Sequence, residues 1–103
     1  MARFLAWSPE ALEDLESIAT YIERDSPHYA RSVVTRIISV AESIPDHPKM
    51  GREVPEKADP DVRERFVYSY RVIYKIEPER ILIAAVIHGS RQFSVLGDRL
   101  EEA

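Results

Sequence analysis

Between Val62 and Gln92 the chain carries Arg63, Arg65, Arg71, Lys75, Arg80 and Arg91 against only Glu64, Glu77 and Glu79, in a protein whose formal net charge is −4. Guanidinium groups take phosphate or carboxylate through paired N–H donors. Arginines gathered on one stretch of an acidic chain therefore point to an anionic ligand. The stretch ends in His88-Gly89-Ser90-Arg91. His88 is the one side chain there with a pKa suited to proton transfer near neutrality, whereas arginine cannot be deprotonated. On strict strand alternation His88 shares a face with Leu82, Ala84 and Val86, a setting in which a lone histidine is more often a hydrogen-bonded structural residue. Gly89 would permit a sharp turn or a close backbone approach.

Arg71 sits in mid-strand among apolar and aromatic neighbours, where a charge cannot be buried unpaired. Either it pairs with a carboxylate such as Glu64 on the adjoining strand, or it lines an open concave face. Arg63 and Arg65 read as a solvated edge. Other chemistries lack support. The histidines 28, 47 and 88 are scattered without ligand spacing, so no metal is expected. Phosphate-loop, dinucleotide and GxSxG patterns are absent, and no cofactor is expected. Without cysteine, disulfide and thiol chemistry are excluded and a reducing compartment is implied.

The elements that must hold these residues can be read along the chain. Arg3 to Trp7 is short, apolar and aromatic, as a buried strand would be. Ser8-Pro9-Glu10 then carries a helix start: a side-chain cap, a proline pre-set for the first turn, and an acid at the positive end of the dipole. Leu12, Leu15, Ile18, Ala19 and Ile22 recur at helical spacing, with Glu10, Glu13, Asp14, Glu16 and Glu23 between them on the solvent side. Asp25-Ser26-Pro27 repeats the start signal. A second helix follows with Ala30, Val33, Val34, Ile37, Ile38 and Ala41 on its apolar face, ending near Ser43 because Pro45 and Pro48 cannot continue it. The short break makes the pair an αα-hairpin. Pro45–Asp61 has four prolines and reads as an irregular connection.

Three strands close the pattern, roughly Val62–Val67, Tyr70–Ile76 and Ile81–Ile87, with a turn at Pro78-Glu79. Ile81–Ile87 is apolar throughout, as a strand covered on both faces must be. In Tyr70–Ile76, Arg71, Ile73 and Lys75 face one way, and Tyr70, Val72, Tyr74 and Ile76 face the helices. Tyr21, Tyr29, Tyr70 and Tyr74 belong in the core or at its rim. The expectation is an α+β domain ordered β-α-α-β-β-β, a helical hairpin on a mainly antiparallel sheet, with all 103 residues in one domain.

Overall acidity argues against a free-standing nucleic-acid binder. Residues 1–50 alone hold five Lys/Arg and eight Asp/Glu. No apolar run reaches the roughly 20 residues a membrane helix needs, and MARFLAWSPE does not fit a secretory signal, so a cytoplasmic protein without membrane contact is expected.

Taken together, the motifs resemble the RelE/ParE toxin superfamily of type II toxin–antitoxin systems, over nearly the whole chain. Trp7-Ser8-Pro9-Glu10-Ala11 followed by Asp14-Leu15 is similar to the family's first strand and helix. Pro48-Lys49-Met50-Gly51-Arg52 resembles its P-x-x-G-R element, Tyr70-Arg71-Val72-Ile73-Tyr74 its YRxxY strand, and His88-Gly89-Ser90-Arg91 its HGxR ending. The resemblance implies a toxin, of the kind that stabilises plasmids, neutralised by a cognate antitoxin. RelE-like members cut messenger RNA on the ribosome, and ParE-like members inhibit DNA gyrase. A nuclease reading would rest on His88, Arg71 and Arg91. Against it, the tail QFSVLGDRLEEA has no tyrosine to act on the 2′-hydroxyl, and Arg63-Glu64-Arg65 stands where a lysine-rich strand is expected. The resemblance therefore implies a ParE-like gyrase inhibitor, with an RNA endonuclease and a non-catalytic interaction domain as alternatives. The expected antitoxin- or target-binding set is Arg52, Arg63, Arg65, Arg71, Tyr74, His88, Arg91, Phe93 and Leu96. The antitoxin is expected to be acidic and amphipathic, its carboxylates against Arg71 and Arg91. The antitoxin or a second copy of the chain would cover the apolar tail.

Overall fold

The computed structural model describes residues 3–89 and Arg99. The chain runs β1 (Phe4–Trp7), α1 (Pro9–Glu23), α2 (Pro27–Ser43), two single-turn 3₁₀ helices (Ile44–Asp46 and Pro48–Met50), β2 (Arg52–Glu53), β3 (Val62–Val67), β4 (Tyr70–Ile76) and β5 (Arg80–His88). The five strands form one sheet in the order β1-β5-β4-β3-β2. Every pairing is antiparallel except β1 with β5. This is the α+β arrangement the sequence predicts, with one addition. The Pro45–Asp61 connection is not wholly irregular, because Arg52 and Glu53 pair with Glu64 and Arg63 and extend the sheet by a fifth strand.

Both helix starts are built as the sequence indicates. The Ser8 hydroxyl accepts from the Ala11 N–H at 3.0 Å and the Ser26 hydroxyl from the Tyr29 N–H at 3.1 Å, each followed by proline in the first turn. These bonds satisfy backbone donors that have no partner inside the helix. One core lies between the hairpin and the sheet, from Val33, Ile37 and Ala41 of α2 to Val72, Tyr74, Ile81 and Ile83. A smaller cluster of Val54, Val62, Ile73, Ala84, Ala85 and Ile87 covers the opposite face. The interior strand β5 is accordingly buried from Ile81 to Ile87. In contrast, β1 is an edge strand rather than a buried one, with Phe4 59% exposed. Leu12 and Ile38 also sit at the rim of the helical hairpin instead of inside it.

A register shift between Ile73 and Tyr74 changes the reading of β5. Ile73 pairs with Ala85 but Tyr74 with Ile83, leaving Ala84 as an extra residue. Such a bulge reverses the alternation beyond it. Ile81 and Ile83 face the helices, Ala84 and Ala85 both face away, and Val86 returns to the helical side. His88 follows Val86 and Tyr70, not Leu82 and Ala84. The bulge's backbone groups are held by side chains from α1 and its cap. Asp14 accepts from the Val86 N–H at 3.0 Å, and the Ser8 hydroxyl donates to the Ala84 carbonyl at 3.3 Å. Asp14 is therefore turned to the sheet, where it also receives Arg99 at 2.8 Å, and is not the solvent-side acid that periodicity suggests. A bulge leaves unpaired backbone donors, and a short carboxylate one helix away can reach them.

Candidate functional site

Among the described residues, the sequence-predicted functional groups fall on both sides of the sheet. The first set lies on the face away from the helices. Glu64 of β3 is 1% exposed and carries two guanidiniums: Arg71 Nε donates to its Oε1 at 2.6 Å, and Arg52 Nε to its Oε2 at 2.6 Å. Arg71 then turns its outer fork to Glu56, donating through both terminal nitrogens at 3.0 and 2.9 Å. Arg52 lies over the Phe66 ring, 5.1 Å from its centroid. Two cations and two anions thus close on each other. The register places them: Glu64 stands opposite Ile73 on one side and Arg52 on the other, so the short β2 strand supplies the second arginine.

Of the two readings open for Arg71, the structure takes internal pairing. Arg71 is 5% exposed, and its donors point to this chain's own carboxylates. Its pKa is pushed above the ordinary arginine value, first by the hydrogen bond to Glu56 and then by Glu64, against the opposing effect of burial. Conversely, the Arg71 guanidinium holds the Glu56 carboxyl below its usual 4.5. Glu56's folded-state pKa is depressed, so its contribution is complete above pH 4.5 and disappears as pH falls through the lower folded value. Because the Glu56 side chain is 40% exposed, screening keeps that contribution small. Glu56→Gln is expected to flatten the acid limb of stability below pH 4.5 and to leave the neutral plateau nearly unchanged. Urea midpoints across that range would check it, and an unchanged acid limb would contradict the pairing.

Tyr74 is not at a binding surface. It is fully buried, donates to the Pro48 carbonyl at 2.6 Å and accepts from the Gly51 N–H at 3.2 Å. Its burial pushes the phenol pKa up. Arg63 likewise serves the fold: it donates to the backbone carbonyls of Pro60, Lys49 and Gly51 at 2.9, 3.2 and 3.0 Å. Arg63 and Tyr74 together fasten the proline-rich connection to the sheet. Arg65 is half-buried on the helical side, the face it shares with Val67. Arg91, Phe93 and Leu96 lie outside the described residues.

The second set is at the far end of the sheet, on the helical side. His88 meets Tyr70 edge-on, with ring centroids 5.7 Å apart and an 82° interplanar angle. Gly89 follows, its N–H bonded to the Ser69 carbonyl at 2.7 Å, and a Cβ there would stand 3.3 Å from that oxygen. The close approach that its small size allows is thus to the chain's own turn. Around His88 and Tyr70 stand Tyr21, Tyr29 and Tyr68, at 69%, 51% and 61% exposure. They frame two adjoining depressions of about 360 and 340 Å³. The sequence places Tyr21 and Tyr29 at the core's rim, and it offers no signal for Tyr68. Only the folded chain brings the ends of α1, α2, β3 and β5 together.

His88 and Arg71 do not share a site. Tyr70 pairs with His88 and packs on the helical side, whereas Arg71 pairs with Ile87, whose side chain belongs to the opposite cluster. Among the described residues no group of His, Cys, Asp and Glu could hold a metal ion, and no helix is long and apolar enough to cross a membrane.

Comparison with known proteins identifies the family. Residues 5–93 match the family model described as the ParE toxin of the type II toxin–antitoxin system parDE. Y4kP of Sinorhizobium fredii, a protein assigned as a toxin, is 28% identical over 92 residues, which cover 86% of this chain and 91% of that protein. The chromosomal ParDE toxin–antitoxin system of P. aeruginosa superposes with a TM-score of 0.70 at 20% identity, covering 84% of this chain and 96% of that one. An arginine-to-alanine double mutant of the E. coli toxin RelE in its free state superposes with a TM-score of 0.65 at 17% identity, covering 100% and 95%. The chain belongs to the ParE toxin family within the RelE/ParE superfamily, as the toxin partnered by an antitoxin in a type II toxin–antitoxin system.

Proposed function

We propose that this toxin acts in the cytoplasm as a ParE-like inhibitor of DNA gyrase, by binding rather than by cutting RNA, and that its cognate antitoxin neutralises it. The observation that carries this reading is the separation of His88 from Arg71 by the thickness of the sheet. Cleavage of RNA at the 2′-hydroxyl needs a base, an acid and a cation converging on one phosphate. Here the residue able to move a proton and Arg71, one of the two arginines expected to hold the phosphate, face opposite ways. Arg71 is moreover already neutralised by Glu56 and Glu64. An inhibitor that works by contact has no need of that convergence.

Expression without antitoxin should arrest growth and induce the DNA-damage response, with purified chain inhibiting supercoiling by gyrase and messenger RNA left intact. His88→Ala should leave inhibition of supercoiling close to that of the parent. In a nuclease, loss of a proton-transfer group costs about 10²–10⁴-fold in rate. Codon-phased cuts in translated RNA that disappear in His88→Ala would overturn the proposal in favour of the endonuclease. Absence of both effects and of growth arrest would leave an interaction domain without toxicity.

A further inference from the structure

Four of the chain's five tyrosines stand around one groove, and they come from separate elements: Tyr21 late in α1, Tyr29 in the first turn of α2, Tyr68 in the β3–β4 turn and Tyr70 at the start of β4. Three of these residues are more than half exposed. A contiguous patch of exposed rings, unlike single scattered ones, marks an interaction site, and tyrosine is concentrated at the energetic centres of protein interfaces. Tyr68 adds a further sign. Its φ is +53°, a left-handed conformation that bulky residues rarely adopt and that tends to mark functional positions. A glycine or asparagine would form that turn without strain, but neither would present a ring.

The charge around the rings selects the ligand. Asp25 and Asp14 line the two depressions, and no lysine or arginine is among their described lining residues. Asp14 is committed to the Val86 N–H and to Arg99, which leaves the Asp25 carboxylate, exposed at the α1–α2 junction. Ring faces carry negative potential and attract cations, and a flat guanidinium stacks on them while keeping its edge free for a carboxylate. An anion in these depressions would meet ring faces, hydroxyls, the His88 imidazole and the opposing Asp25 carboxylate, whereas Arg31 and Arg36 line a separate depression that also borders Tyr68. The hydroxyls of Tyr21 and Tyr29 raise the Tyr70 pKa, second to its burial, which agrees with phenol oxygens converging at the groove. We propose that this aromatic groove is a receptor for an arginine side chain carried by a segment of a partner protein, the guanidinium stacked among Tyr21, Tyr29 and Tyr68 with Asp25 at its edge. The inference goes beyond gyrase inhibition and does not depend on it, because its test contains neither gyrase nor antitoxin.

The experiment uses the full chain with ¹³C-labelled tyrosine rings and a blocked pentapeptide, Ala-Leu-Arg-Leu-Ala, titrated at low ionic strength. The ring resonances of Tyr21, Tyr29, Tyr68 and Tyr70 should shift together, while that of the buried Tyr74 stays in place as the control for an intact fold. Replacing the peptide's arginine by citrulline, which keeps shape and loses charge, should weaken binding about tenfold or more. So should Tyr29→Leu or Tyr68→Leu in the protein, with the Tyr74 signal unchanged. Equal binding of the citrulline peptide, tighter binding of a glutamate counterpart, or absence of any shift would overturn the proposal. It would also be overturned if Arg91→Gln alone moved the four resonances as far as saturating peptide does, since the groove would then serve this chain's own arginine.

Discussion

Glu64→Ala is expected to lower the stability of the fold by about 3–5 kcal/mol, the range for removing one member of a buried ion pair. The direction follows from what is left behind. Glu64 is 1% exposed and anchors Arg71 and Arg52 through separate oxygens. Its loss strands the Arg71 guanidinium, itself 5% exposed, with only the outer pair of bonds to the half-exposed Glu56. An unpaired buried charge costs far more than the intact pair contributes, because the pair has already offset its own desolvation. Replacing Glu64, Arg71 and Arg52 together by apolar residues of similar volume should therefore cost much less than Glu64→Ala alone. Against a total stability of about 5–15 kcal/mol for a domain of this size, the single change should move the unfolding midpoint in urea markedly at nearly constant slope. A loss under about 1 kcal/mol would mean that the network is solvated and that Arg71 is accessible after all. Phosphate offers a second reading of the same point. It should stabilise Glu64→Ala, whose Arg71 lacks a counter-charge, by more than it stabilises the parent.

Gly51→Ala should be nearly as damaging, for a steric reason. Gly51 has ordinary extended backbone, φ −68° and ψ 149°, so no left-handed conformation is involved. The obstacle is space. A Cβ would lie 2.4 Å from the Tyr74 hydroxyl and 2.7 Å from the Glu64 backbone carbonyl. The tyrosine ring can swing only by giving up its bonds to the Pro48 carbonyl and the Gly51 N–H, and the Glu64 carbonyl belongs to β3. Overpacking of this kind costs about 1–3 kcal/mol, and a buried hydroxyl left without partners about 1–3 more. Tyr74→Phe should be mildly destabilising alone. In the double variant it should recover part of the Gly51→Ala loss, since the clashing oxygen is gone; thermal unfolding of the four proteins gives the coupling. Strict additivity would show that the clash lies with the β3 backbone instead.

These two sites explain why the P-x-x-G-R and YRxxY motifs travel together in this chain. Gly51 and Arg52 from the first meet Tyr74 and, through Glu64, Arg71 from the second. In the folded protein they form the fastening of the proline-rich connection to the sheet.

What was legible in the residues by themselves was the local structure. Ser8-Pro9 and Ser26-Pro27 announce the helices because a cap and a pre-set proline act within one turn. Ile81–Ile87 announces a covered strand because each of its positions is apolar. The pattern of Tyr70–Ile76 correctly separates the helical face from the other, since strand alternation is a property of neighbouring residues. Four motifs in order were enough to indicate the family. Tertiary structure alone decided where the charges went. Whether Arg71 faced a ligand or Glu64 depended on the register of three strands and on Glu56, which reaches it from a loop 15 residues earlier. The side on which His88 emerged depended on a bulge held open by Asp14, from a helix 72 residues before Val86. The tyrosine groove required four element ends to meet. Electrostatic pairing and exposure are set by distances through space, and a linear pattern contains those distances only within one helix turn or one strand.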